Sequence, residues 1–419
     1  MLVGEIIKFY RTKAGLTQGE LGTGICSSKH VSKIERGDTS YSSEILALLT
    51  ERLQIDIKKE ISRLKNMENQ LHRWHKEITM QRMKEVEETR KELEKIPFIS
   101  TSKHTAMYQL LLARYYILKN NFKNTYDILK HVQREYPDLP PYEKNLLRHV
   151  WGIYYIYNSN TSGTENHRKA IQVLIEIDKD TYGNYEYYYN LAMAYHWIDS
   201  KVRTYVYAEK ALRYFKETNN FIRAIDAETL ILWLDGNDIY IDFQEIIVSY
   251  HNLIQVCEIL NAPDRKGTLL NNLGHIYSKR KDYVNAQKFF KEALDMMDNF
   301  SVQHLKYLYD YLKSCLEGKL LQNTMMLKKA HEGLSLAKKL DNSLFKILFK
   351  LLIYRIENKL DQYYSFIEEN ALPYFQSNKH LIMKNSYAKE LYNHYMKIEQ
   401  YEKVARISKI LIDTDNEIS

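Results

Sequence analysis

Apolar side chains recur every three or four positions along most of this chain, and that spacing is typical of amphipathic helices. Near the N-terminus, Ile6, Ile7 and Tyr10 share one helical face, and Gly15 then favours a helix stop. The 419 residues contain only 6 prolines and 14 glycines, fewer turn residues than a strand-rich protein of this size needs. The pattern therefore predicts an all-α protein with long helices and short connections.

Residues 1–65 divide into five short predicted helices. In "LTQGEL", Thr17 is a good N-cap for the second helix and starts a capping box. Ser27 caps a third helix, which places Val31 and Ile34 on its inner face and polar or basic side chains on its outer face. This layout is that of a helix-turn-helix DNA-binding domain. The alternative is a small helical bundle in which the third helix is merely a solvated polar surface.

The stretch "GLTQGEL … SSKHVSKIERG" resembles the lambda-repressor-like, XRE-type helix-turn-helix, and the similarity extends over residues 3–64. The resemblance implies that Arg11 and Glu35 form an internal ion pair. One position departs from the family pattern, because Gly22 stands where alanine is usual. Glycine weakens a short helix, so packing against the rest of the domain must hold the second helix in place.

The same resemblance implies how the domain binds double-stranded DNA. Helix 3 enters the major groove, where lysine and serine side chains can reach base edges or nearby phosphates. The start of helix 2 and the end of helix 3 contact phosphate. The candidate DNA-binding residues are Thr17, Gln18, Ser28, Lys29, His30, Ser32, Lys33 and Arg36.

Residues 66–100 predict a linker helix, because helix-forming residues with apolar positions at helical spacing run up to Pro97. The dense charge of this segment is typical of a solvated face. A dimer contact is the alternative.

Residues 101–419 contain a repeat, which is clearest in "GTLLNNLGHIYSKRKDYVNAQKFFKEALDMM". Its small and large residues follow the tetratricopeptide (TPR) signature, with Gly274 and Ala286 small and Tyr277 and Phe290 large. Weaker copies occur on both sides, and a repeat of about 34 residues gives about nine helical pairs. Such pairs stack into a right-handed α-superhelix with a concave groove lined by each first helix.

Placing the repeats in one frame assigns candidate side chains to that groove. Asparagine suits peptide recognition, because its amide pairs with the N–H and C=O groups of an extended backbone. The alternative is that the asparagines bond between neighbouring helices. The candidate peptide-binding residues are Arg114, Tyr189, Asn190, Asn271, Asn272 and His275.

Composition excludes several other functions. The sequence has neither a Gly-rich phosphate loop nor a hydrolase or metalloprotease motif, so we expect no enzyme activity, cofactor or metal site. Its three cysteines, Cys26, Cys257 and Cys315, lack metal-binding spacing and favour a reducing cytoplasm. No apolar stretch is long enough for a membrane span. The net charge of +7 permits an anionic partner.

A DNA-binding head followed by TPR repeats resembles the RNPP family of cytoplasmic quorum-sensing regulators, and most closely its NprR type. The resemblance implies that the repeats bind a short secreted and re-imported signalling peptide. It also implies a homodimer or tetramer whose assembly the peptide changes, and a second role in binding a sporulation response regulator. The domains would be residues 1–65, 66–100 and 101–419. Two alternatives remain: a peptide-independent repressor whose repeats dimerise or dock a partner, and a scaffold with a vestigial head.

Overall fold

The computed structural model describes residues 2–38, 42–96, 104–158, 163–236, 241–378 and 380–418. Within these ranges all regular structure is helical, which confirms the predicted all-α class. By its internal packing the chain forms two compact units. The first comprises Met1–Tyr154 with Ile177–Gly183, and the second comprises Tyr155–Glu176 with Asn184–Ser419.

The head has the predicted five helices around a small core. Its buried apolar side chains come from all of the first four helices, which are α1 (Leu2–Lys13), α2 (Gln18–Gly22), α3 (Ser28–Arg36) and α4 (Ser43–Arg52). The predicted caps are confirmed. The Thr17 hydroxyl accepts from the backbone N–H of Glu20, and the Ser27 hydroxyl accepts from that of His30. Gly37 closes α3 with a φ of 75°, where a residue with a Cβ would be strained.

The fifth head helix and the start of the predicted linker are one helix, α5 (Ile57–Met80). The expectation of a single linker helix is wrong in one respect. The chain breaks at Gln81, whose φ of 56° is left-handed, and resumes as α6 (Met83–Glu94). The Trp74 indole N–H donates to the carbonyl of Val86 at 3.0 Å and fastens the resulting hairpin. Pro97, the predicted helix stop, lies outside the described residues.

The rest of the first unit continues with helical pairs. The Trp74 ring of α5 stacks on the Tyr108 ring of α7 (Thr105–Leu118), with ring centroids 6.0 Å apart, so α5 packs directly on α7. The helices that follow are α7 (Thr105–Leu118), α8 (Phe122–Glu135), α9 (Pro141–Tyr157), α10 (Gly163–Ile175) and α11 (Lys179–Tyr182), of which α10 belongs to the second unit.

The second unit is built from antiparallel helices that pack in sequence order. They are α12 (Tyr187–Trp197), α13 (Lys201–Glu217), α14 (Phe221–Asp235), α15 (Phe243–Ile259), α16 (Pro263–Lys279), α17 (Tyr283–Asp295), α18 (Val302–Gly318), α19 (Asn323–Lys339), α20 (Ser343–Ile356), α21 (Leu360–Phe366), α22 (Leu372–Ser377), α23 (Leu381–Lys397) and α24 (Tyr401–Ile418), with a π-helical turn, Ile367–Ala371, between α21 and α22.

The repeat signature has the predicted packing. A Cβ on Gly274 would lie 2.6 Å from the Phe290 ring, so this glycine is needed for α16 and α17 to approach. A Cβ on Gly333 would likewise clash with the Phe349 ring in the pair α19 and α20. Left-handed residues, among them four asparagines and two aspartates, follow many of the helices, which allows short connections. The fold class of a helix-turn-helix head followed by helical repeats is confirmed, while the count of about nine pairs stays a prediction.

Candidate functional site

Helix α3 presents an exposed basic face. Ser28, Lys29 and Lys33 are exposed and Ser32 is half-buried, while Val31 and Ile34 on the opposite face are buried. Arg36 is also exposed, and its Nε lies 2.7 Å from a carboxylate oxygen of Asp38. These side chains can reach a ligand without any change in the head.

Glu35 fixes the position of this face from within. Its buried carboxylate accepts from Arg11 Nε at 2.5 Å and Nη2 at 3.1 Å, which confirms the expected ion pair. Arg11 also donates to the carbonyl of Leu16 at 2.8 Å. The same carboxylate accepts from Gln18 Nε2 at 2.8 Å. Helices α1, α2 and α3 are therefore joined at one charged group.

The other three candidate DNA-binding residues are hydrogen-bonded or partly covered within the head; they are Thr17, Gln18 and His30. The Gln18 amide is engaged by Glu35, so it faces inward rather than toward a phosphate. The half-buried His30 has a covered Nε2 atom with no hydrogen-bond partner among the described residues. Thr17 is exposed, but its hydroxyl and backbone N–H both bond to Glu20, the latter at 2.6 Å. The carboxylate of Glu20 thus occupies the place at the start of α2 where a phosphate was expected.

In the second unit, the candidate peptide-binding residues Asn271 and His275 both contact one acidic residue of the next repeat. Asn271 Nδ2 lies 3.2 Å from Asp310 Oδ2, and His275 Nε2 lies 3.0 Å from the same oxygen. Burial alone would raise the pKa of Asp310, but His275, together with Lys306 and the Asn271 hydrogen bond, holds it below its ordinary value. This cluster joins α16 to α18.

Asn272 differs from its neighbour because its side chain is half-buried. It lies beside Tyr250 of α15. Burial raises the pKa of that tyrosine hydroxyl, and the neighbouring Asn272 amide acts in the opposite direction. Of the six peptide candidates, only Asn272 and His275 retain appreciable exposure.

The expectation that all six candidates line an open groove is wrong for the other four. Arg114, Tyr189, Asn190 and Asn271 are 4%, 8%, 2% and 1% exposed. For two of these four residues the cause is the next repeat. Tyr189 and Asn271 occupy equivalent repeat positions, and each is covered by a charged residue of the following first helix, Arg223 or Asp310.

Sequence reasoning missed a buried charge network around Arg223. Its guanidinium lies 4.4 Å from the centroid of the Tyr189 ring and bonds to Glu186 at 3.2 Å and to Asp226 at 2.8 Å. Arg265 reaches Asp226 from α16 at 3.1 Å. The signal was present, because Arg223 and Asp226 are opposite charges three residues apart in a mainly apolar helix.

Two further expectations concern membrane-spanning helices and metal sites. Within the described ranges, no helix is both long enough and apolar enough to cross a membrane. The described His, Cys, Asp and Glu side chains form no group that could hold a metal ion.

Comparison with known proteins identifies the head and the fold. Residues 7–59 match the family model HTH_3, described as helix-turn-helix. The transcriptional activator NprA of Geobacillus stearothermophilus is 23% identical over 404 residues, covering 93% of this chain and 97% of NprA. Its name agrees with the expectation that this chain is not an enzyme.

Two solved structures share the fold. NprR in complex with its cognate peptide NprX has a TM-score of 0.67 and 20% identity, covering 83% of this chain and 99% of NprR. A Rap protein complexed with competence and sporulation factor has a TM-score of 0.68 and 16% identity, covering 84% of this chain and 99% of that protein. These two structures confirm the fold that the resemblance to RNPP regulators implies.

Proposed function

We propose that this RNPP-type chain is a transcriptional regulator that binds DNA through its head and responds to a short peptide held by its helical repeats. The domains would be residues 1–65 for DNA binding, 66–100 for the linker and 101–419 for peptide binding and oligomerisation. These roles place the protein in the cytoplasm. The observation that carries the proposal is the exposed basic face of α3 on a head fixed by Arg11 and Glu35.

In this proposal the DNA contacts divide into two groups. Lys29 and Lys33, with Ser28 and Ser32, face the major groove, where lysine can meet guanine O6 and N7. Arg36 contacts phosphate after exchanging its exposed partner Asp38, an exchange that costs little because the pair is solvated. Gln18 positions α2 through Glu35, and His30 supports the inner side of α3.

The peptide would lie along the first helices of the second unit, with Asn272 and His275 as direct contacts. Asn272 offers a donor and an acceptor to an extended backbone, and each such bond contributes about 0.5–1.5 kcal/mol. Three of the other candidates would not contact the peptide, because they are buried. They would instead support the packing between repeats; they are Tyr189, Asn190 and Asn271. The fold shared with NprR, whose solved complex contains a peptide, supports this placement.

The response to the peptide would operate through assembly. A peptide that prefers one of two assemblies shifts the protein toward it, and only one assembly spaces two heads for half-sites about 34 Å apart. Homodimers and tetramers are the assemblies we propose. The continuous helix α5 supports this linkage. Its first turns lie against Tyr10 of the head through Glu60, and its last turns carry Trp74 into the packing of α7.

A response regulator is the second proposed partner, bound when the peptide is absent. The shared fold with a Rap protein favours this role. The competing function is a peptide-independent repressor whose repeats dimerise or dock a partner.

The DNA-binding part is tested by Lys29→Ala and Lys33→Ala, with Lys59→Ala on α5 as an exposed control. Operator fragments selected from random duplex DNA serve as ligand. Each α3 variant should weaken binding and reduce the salt slope by about 1, while the control should behave as the wild type. Equal losses in all three variants would contradict the assignment of α3. Calorimetry with pooled short peptides then separates the peptide-responsive regulator from the peptide-independent repressor.

A further inference from the structure

A cavity lies in the second unit, formed by α17, α18 and α19. Its volume is about 690 Å³, which is within the range of cavities that hold a ligand or a few residues of a peptide. The proposed DNA and peptide contacts do not line it. Each helix contributes one leucine to its apolar lining, and the exposed ring of Phe300 lies at its edge; the leucines are Leu294, Leu308 and Leu336.

The positive and negative charges that line the cavity are not balanced. Lys291 and Asp295 bind each other and so neutralise their charges. Lys329 and Lys339 line the cavity without a carboxylate partner among the described residues, against the single carboxylate of Glu332. Helix α19 as a whole carries four lysines and one acidic residue. The surface around the cavity therefore favours an anion.

Two further groups in the lining can recognise a ligand. The Nδ1 atom of His304 is covered and has no hydrogen-bond partner in the described part of the chain. Burial lowers the pKa of His304, with a smaller contribution of the same sign from Lys329 that opposes the effect of Asp298. A neutral imidazole can donate or accept one hydrogen bond at that atom. The Lys339 ammonium lies 5.8 Å from the centre of the Phe300 ring, so the cation and the aromatic ring share one edge.

We propose that this cavity binds a short acidic segment of a protein partner, with an apolar side chain on the leucines and a carboxylate at either end. Lys329 and Lys339 are ten positions apart on α19, or about 15 Å along its axis, and an extended segment of about five residues covers that length. The site is separate from the peptide site proposed above and does not depend on it.

The chain offers a matched pair of variants for the test. Lys329→Glu with Lys339→Glu reverses the two charges in the cavity. Lys328→Glu with Lys338→Glu changes the net charge equally on the same helix, but at exposed positions outside the lining. The probes are a fluorescein-labelled pentapeptide, Glu-Leu-Phe-Leu-Glu, and its Gln-Leu-Phe-Leu-Gln counterpart, measured by anisotropy with the full chain.

The wild type should bind the acidic probe saturably below about 1 mM and the Gln probe at least about tenfold more weakly. The cavity variant should lose about tenfold or more, the exposed-lysine variant less than about twofold, and Asn272→Ala nothing. Equal losses in both double variants, equal binding of both probes, or no saturable binding by the wild type would overturn the proposal. So would self-association, seen by sedimentation, that the cavity variant abolishes while probe binding persists, because the occupant would then be a second copy of the chain.

Discussion

Arg52 Nη1 lies 2.6 Å from the carbonyl oxygen of Thr23 and 2.9 Å from that of Leu21, so α4 caps the C-terminal end of α2. A short helix that ends at Gly22 needs this support, because its last carbonyls have no partner within the helix. A Cβ on Gly22 would lie 3.2 Å from Val31, so α2 also packs tightly on α3.

We expect Arg52→Ala to loosen the helix-turn-helix without unfolding the body. Losing charge-assisted bonds to the α2 carbonyls should lower local stability by about 1–2 kcal/mol. Amide hydrogen exchange across residues 18–36 of the full chain measures this loss. The control is Arg134→Ala, whose exposed side chain pairs with its neighbour Glu135. Unchanged exchange in Arg52→Ala would show that packing alone holds α2.

The sequence allowed the head to be predicted in detail because its determinants are local. The Thr17 and Ser27 caps depend on residues three positions away, and the Arg11–Glu35 pair belongs to a motif. The break at Gln81 was missed because neither glycine nor proline marks it. The burial of Asn271 was missed for a different reason. Whether that side chain faces a ligand or the next repeat depends on Asp310, 39 positions later.

The lowered pKa of Asp310 predicts a specific pH dependence of the free energy of unfolding. Its pKa is lowered in the folded protein, so its stabilising contribution is complete above the ordinary value of 3.8 and is lost as the pH falls through the lowered value. Asp310→Asn should remove that part of the slope in the unfolding free energy measured by urea between about pH 6 and about pH 3.

The exposed carboxylate of Asp341 is the control for this measurement. It pairs with Lys346 at 2.5 Å in solvent, so Asp341→Asn should change the pH profile only slightly. The same profile in wild type and Asp310→Asn would mean that Asp310 does not couple α16 to α18.

Gly274→Ala should destabilise the second unit. Alanine favours a helix over glycine by up to about 1 kcal/mol, but the added Cβ would meet the Phe290 ring at 2.6 Å, and such overpacking costs about 1–3 kcal/mol. The urea midpoint should therefore fall, and Phe290→Leu in the same chain should restore part of it. Gly19→Ala is the control, because its Cβ would meet only Thr17 Oγ1 at 3.8 Å. If both alanine variants were stabilised, the close approach of α16 and α17 would not limit this packing.

Asn272 and Asn190 occupy equivalent repeat positions, yet the structure predicts different consequences for their replacement. Asn272 is half-buried beside Tyr250, whereas Asn190 is 2% exposed and donates to the carbonyl of Glu186 at 3.5 Å. A peptide on the first helices would meet the former and not the latter. Asn272→Ala should therefore weaken the peptide found by calorimetry by about fivefold or more, with little change in the unfolding midpoint.

Asn190→Ala should do the opposite, since it removes a buried polar group and leaves a small void between α12 and its neighbours. Its urea midpoint should fall by an amount that corresponds to about 1 kcal/mol or more, while peptide affinity measured well below that midpoint stays within about twofold of the wild type. The two variants therefore distinguish a residue that contacts the peptide from one that only supports the packing, at equivalent positions of two repeats. If Asn190→Ala lost affinity at unchanged stability, the first helix α12 would have to open in the peptide-bound state, and the burial of its candidates would describe the peptide-free state alone.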